Sequence, residues 1–144
     1  MPDAVVDTTV LYAAGNERSQ RHDGGLATLQ AADQERLPRL RIPDVVLVET
    51  MNGLTRDVGH DKAVDMLDRL EASTGFVLDR TMNAVWHAGV DTFRGIERLS
   101  LADGLIAAYA RDHDIDYVYS FDGGFDGLDD IARLADATNP YAPD

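Results

Sequence analysis

A chain of 144 residues with 44% apolar and 27% charged side chains is the size of one domain with a single core, and its composition excludes both disorder and a membrane-embedded fold. It has no cysteine, which removes disulfide scaffolds, thiol nucleophiles, iron–sulfur clusters and cysteine-held zinc, so any metal must be bound by oxygen or imidazole. The 26 acids against 13 bases give a net charge of −13, with 21 Asp and a single lysine, Lys62. This balance either opposes general nucleic-acid binding at low salt or reflects life in a salt-rich cytoplasm, where charge is screened over about 3 Å at 1 M salt.

Met1-Pro2-Asp3 leads into the apolar stretch AVVD without a basic leader or signal-type core, and the expected location is cytoplasmic. Ala4 to Asp7 reads as a short buried strand, and Thr8 to Ala14 as a helix ending near Gly15. Asn16 to Gly25 is polar and expected to be a loop, with a helix over Leu26 to Gln34. Pro38 and Pro43 bracket an extended piece. Pro43-Asp44 opens a helix that runs to about Val58, with Gly59 as its stop. A further helix spans Asp61 to Ser73, apolar at Ala63, Met66, Leu67 and Leu70 and acidic on the opposite face. Phe76 to Leu78 is a strand, Met82 to Phe93 a helix, and Ser100 caps another helix over Leu101 to Asp112. Ile115 to Ser120 is β-branched and aromatic, hence a strand. Gly123, Gly124 and Gly127 form a loop before an edge strand over Ile131 to Leu134. Alternating strands and helices predict one α/β domain over 1–144, a three-layer fold with a central, mainly parallel sheet flanked by helices.

Most of the acids lie where solvated faces are expected, but four do not. Asp7 ends the first strand, and in open α/β sheets ligands bind outside the carboxyl ends of strands; capping of the next helix is the competing role. Glu49 sits in PDVVLVETMNGL, whose apolar residues surround the helix and predict a carboxylate without a route to water. Such a charge needs a metal or a partner, with Arg56 and Asn52 as candidates. Asp103 projects from the first turn of SLADGLIAAYA, a helix with no polar face. A capping box with Ser100 is the alternative, and Gly104 leaves space for an approaching group. Asp122 follows the strand DYVYS, with Ser120 two residues earlier and Asp126 competing for its place. Brought together, such acids repel one another, so some should hold a proton until a hard dication, Mg²⁺ or Mn²⁺, neutralises them. With no Walker-type lysine loop, the expected chemistry is phosphodiester hydrolysis by metal-activated water.

VVDTTV, VVLVETMNGL, LSLADGLIAAYA and the SFD of YVYSFDGGFDGL together resemble the PIN-domain family, in particular VapC-like toxins, over nearly the whole chain. The resemblance implies a metal-dependent ribonuclease leaving 5′-phosphate and 3′-hydroxyl ends. Asp7, Glu49, Asp103 and Asp122 would hold the metal, with Ser120 and Thr8 or Thr9 orienting ligand and water. It also implies a homodimer and a small antitoxin partner. The rival reading keeps the fold but leaves the metal site unused, as an RNA- or protein-binding module; another is a PIN nuclease of RNA processing without an antitoxin. A haloacid-dehalogenase-type phosphohydrolase wants an Asp where Thr9 stands, and a receiver domain wants a late lysine. Arg18, Arg21, Arg39, Arg41, Arg80, Arg94 and Arg98 are unranked candidates for phosphate contacts. His22, His60, His87 and His113 lack metal-ligand spacing. The apolar faces of the helices over Asp61 to Ser73 and Met82 to Phe93 are expected to pack into the core.

Overall fold

A computed structural model describes residues 2–142. The elements follow in the order β1 (Asp3–Val6), α1 (Thr8–Gly15), α2 (His22–Asp33), β2 (Arg39–Pro43), α3 (Asp44–Asp57), α4 (His60–Ala72), β3 (Phe76–Asp79), α5 (Asn83–Gly95), α6 (Leu101–Asp112), β4 (Tyr117–Tyr119), a 3-10 turn (Gly123–Gly127) and β5 (Ala132–Leu134). Met1, part of the sequence-based reading of the amino terminus, lies outside the described residues.

All five strands are parallel, in the order β3-β2-β1-β4-β5. The central strand β1 is buried on both faces, with Ala4, Val5 and Val6 at 0% exposure, which explains why it reads as an unbroken apolar run rather than an alternation. Parallel neighbours require crossovers, and right-handed crossovers place α1 to α4 on one face and α5 and α6 on the other. The packing agrees: α1 touches α2, α3 and α4, and α5 lies along α6. Between β1 and β4 the chain reverses its direction of winding, and the carboxyl ends of these two strands flank the crevice where such sheets bind ligands.

The helix expected over Leu26 to Gln34 instead begins at His22. Gly24 and Gly25 disguise its first turn, and Gly25 is there because α2 presses on α1: a Cβ at this position would lie 2.7 Å from the Val10 carbonyl oxygen. The glycine loop after β4 is partly ordered as the 3-10 turn, anchored by the fully buried Phe125. In α4 the buried stripe is Ala63, Met66 and Leu70, as the apolar spacing predicts. In α5 the expectation of a core face fails in part. Only Val85 and Gly89 are buried, while Met82, Trp86 and Phe93 stay exposed.

Candidate metal centre at the carboxyl ends of β1 and β4

Asp7 follows β1 and is 4% exposed. Its backbone is extended at the N-cap of α1, yet its carboxylate makes no capping hydrogen bond of normal geometry. Two hydroxyls hold it instead: Thr9 Oγ1 donates to Asp7 Oδ2 at 2.9 Å and Ser120 Oγ donates to the same oxygen at 2.8 Å. Both donors are wired in turn. Phe121 N donates to Thr9 Oγ1 at 3.0 Å, and Asp122 N donates to Ser120 Oγ at 2.9 Å. One carboxylate oxygen is thus pinned across β1 and β4 while Oδ1 keeps its acceptor capacity. Burial pushes the Asp7 carboxyl above its usual range, offset in part by the hydroxyls of Ser120 and Thr9 and the nearby Thr8 and Thr9 amides.

Asp103 lies in the first turn of α6, a helix in which every residue from Asp103 to Ala110 is buried. The capping role and the site role coexist here. Ser100 Oγ accepts from the Asp103 amide at 3.1 Å, whereas the Asp103 carboxylate faces other acids. Burial first, and then the charges of Asp7 and Asp122, push this carboxyl up to about 6. Gly104 does accommodate a close approach, but by α5 and not by a ligand: a Cβ there would stand 2.7 Å from the Gly89 carbonyl oxygen and 3.2 Å from Phe93.

Asp122 is exposed and caps the 3-10 turn, accepting from Gly124 N through Oδ1 at 3.0 Å. A Cβ at Gly124 would sit 3.3 Å from Asp103 Oδ2 and 3.5 Å from Asp122 Oδ1, so both carboxylates border the same small gap. Asp126 is drawn away from this gap by Arg133, whose Nε and Nη2 grip its two oxygens at 2.9 and 3.1 Å. The sequence gives no sign of that pair, because Arg133 belongs to β5, across the glycine turn.

Glu49 requires a correction. It is exposed, as is its neighbour Val48 at 58%, while Thr50 on the next position is fully buried. The valines of α3 do not all face protein: Val46 is fully buried while Val48 is exposed. Neither expected partner engages Glu49: Arg56 pairs with Asp57, and no hydrogen bond joins Glu49 to Asn52 among the described residues. Thr8 Oγ1 lies 3.3 Å from Glu49 Oε1. Partial burial and then the Asp7 charge, against that hydrogen bond, raise the Glu49 carboxyl, which places it on the side of the same crevice. Thr8 therefore serves Glu49, and Thr9 serves Asp7.

Burial raises the carboxyls of Asp7, Asp103 and Glu49, and the charge of Asp7 adds to the rise at Asp103 and Glu49, as in an oxygen-donor site short of a counter-ion. Among the described residues no three acids or histidines are close enough to ligate one ion directly. His60 begins α4 and His113 caps α6, so neither adds a ligand. A groove of about 300 Å³ between α5 and α6 is separate, lined by Ala84, Val85, Ala88, Ala108 and Arg111 among others, and Arg111 is itself paired with Asp130.

A five-stranded parallel sheet with acids at its switch point is an open α/β fold with a candidate site at the carboxyl ends of its strands, and comparison makes the class specific. The sequence matches the PIN domain family over residues 4–131, and the chain belongs to that family. Among solved structures it is similar to the Mycobacterium tuberculosis toxin VapC20, described as cleaving the sarcin–ricin loop, with TM-score 0.74, 25% identity, and coverage of 89% of this chain and 96% of that one. It also resembles VapBC2 of Rickettsia felis bound to a promoter DNA fragment (TM-score 0.69, 14% identity, 92% and 97% coverage). A Klebsiella pneumoniae toxin–antitoxin complex is similar too (TM-score 0.65, 19% identity, 90% and 95% coverage). No curated protein matches the sequence.

Proposed function

We propose that this chain is a Mg²⁺- or Mn²⁺-dependent endoribonuclease, the toxin of a toxin–antitoxin pair, acting in the cytoplasm. The observation that carries the reading is the pinning of Asp7 by Thr9 and Ser120 beside the raised carboxyl of Asp103. A site built only to cap a helix would have no use for that arrangement. Asp7 through Oδ1, Asp103, Asp122 and Glu49 would hold the ion, some through water. When bound, a hard dication polarises a phosphoryl oxygen and lowers the pKa of the attacking water. The residues of this chain do the positioning. Ser120 and Thr9 fix the plane of the Asp7 carboxylate, Thr8 steadies Glu49, and the capped first turn of α6 keeps Asp103 from turning to solvent. Family membership and the toxin–antitoxin assemblies among its structural neighbours support an antitoxin partner. The exposed Met82, Trp86 and Phe93 of α5 support a homodimer, since apolar surface of this kind is usually covered by a partner.

The purified protein should cut single-stranded RNA or a sarcin–ricin-type hairpin in Mg²⁺ or Mn²⁺, and EDTA should abolish the products. Calorimetric binding of Mn²⁺ without any RNA cleavage would instead favour the silent RNA- or protein-binding module.

The net charge of −13 supports adaptation to high salt. Cleavage should persist or rise as KCl approaches molar concentration, where repulsion between the acidic surface and phosphate is screened to about 3 Å. A rate that peaks in dilute buffer and vanishes at molar salt would contradict this account of the charge.

A further inference from the structure

Binding a polyanion demands cations that are not already spent, and here few are free. Arg39 and Arg41 are paired with Asp3, Arg56 with Asp57, Arg69 with Asp65, Arg94 with Asp91, Arg111 with Asp130 and Arg133 with Asp126. Arg18 Nη2 donates to the Asp57 carbonyl oxygen at 2.7 Å, at the far end of α3 from its first turn. Arg21 is different. It is exposed, it makes no ion pair among the described residues, and its guanidinium carbon stands 5.1 Å from the centroid of the Phe121 ring.

The ring is bound tightly to the acid site. Phe121 lies between Ser120, which holds Asp7, and Asp122, and its amide donates to the Thr9 hydroxyl that also holds Asp7. The absence of a side chain at Gly24 lets the start of α2 close on the ring: a Cβ at Gly24 would be 3.4 Å from Phe121 Cζ. A guanidinium stacked on an aromatic face keeps its N–H edge directed outward, in the fork geometry that phosphate oxygens accept. Stacking also removes much of the rotamer freedom that a solvated arginine would lose on binding.

We propose that Arg21, seated on Phe121, clamps a backbone phosphate of the RNA next to the scissile one. The inference rests on the ribonuclease reading and adds to it the contact that lets a strongly acidic protein retain an anionic substrate. Among the unpaired arginines, Arg80 follows the edge strand β3 and Arg98 lies in the turn before α6. Neither stacks on an aromatic ring or donates a side-chain hydrogen bond among the described residues.

The test compares Arg21→Ala, Arg21→Lys and Phe121→Leu with Arg36→Ala, which removes the same charge just before β2, at the amino end of the sheet. Steady-state cleavage of a fluorescein-labelled single-stranded oligoribonucleotide is measured across a salt series. Binding of that RNA is measured by anisotropy in the Asp7→Asn background. Arg21→Ala should raise KM about tenfold with kcat within about twofold, and should make the slope of log(kcat/KM) against log salt more positive by about 0.7, the value for one lost single-strand phosphate contact. Arg21→Lys should keep the slope and recover part of the affinity, and Phe121→Leu should weaken binding at unchanged slope. Wild-type cleavage with Arg21→Ala indistinguishable from Arg36→Ala would overturn the clamp alone. A wild-type protein that neither cleaves nor binds RNA would overturn the ribonuclease reading and the clamp with it.

Discussion

Asp103→Asn is expected to abolish RNA cleavage, by about a thousandfold or more, while making the metal-free protein more stable at neutral pH. The sign follows from the titration. Asp103 has its carboxyl raised from 3.8 to about 6 in the folded state. The folded form therefore holds the proton more tightly than the unfolded chain, and this contribution is complete below about pH 4 and is lost as pH rises through 6. At pH 7 the wild-type protein carries an uncompensated penalty of about 3 kcal/mol that the amide does not. Urea unfolding in EDTA should show the variant level with wild type near pH 4 and ahead of it at pH 7. Added Mn²⁺ should reverse the order, because it stabilises only the protein that retains the charge. Asp7→Asn should behave in the same direction. A variant that unfolds at every pH would assign the acid to helix capping instead.

The second large effect lies where α5 crosses α6. Gly104→Ala would place a methyl group 2.7 Å from the Gly89 carbonyl oxygen, with Phe93 at 3.2 Å, and the first of these is backbone that cannot swing aside. Overpacking of this kind costs about 3 kcal/mol, so the midpoint of thermal unfolding should fall by about 10 °C. Because Gly104 adjoins Asp103 on the first turn of α6, cleavage should fall as well, even at temperatures where the variant is fully folded. Circular dichroism melts paired with cleavage rates at low temperature measure the two losses separately. A variant as stable and active as wild type would show that the helices can separate without disturbing the acid.

What was legible in the sequence was the part written in local chemistry. AVVD and DYVYS state buried parallel strands in four or five residues, and the unbroken apolar run after Asp103 states a core helix. The acids stood out because they interrupt those patterns. Glu49 shows the limit. An apolar run on a helix reports the residues present but not how far the helix overhangs the sheet, so Val48 and Glu49 emerge into solvent while Thr50, more polar than Val48, is fully buried. The start of α2 was hidden for a related reason. Gly24 and Gly25 look like a loop, yet they are required by contacts with Phe121 and α1 that are remote in sequence. The capture of Asp126 by Arg133 and the stacking of Arg21 on Phe121 likewise depend on chain crossings that no local pattern encodes.

The strand order has a temporal side. Ser120, whose hydroxyl locks Asp7, follows it by 113 residues in the chain, so the crevice cannot assemble until both segments have been made. If the chain cleaves RNA as proposed, a nascent product that ends before Ser120 has Asp7 without the hydroxyl that holds it and cannot form the crevice.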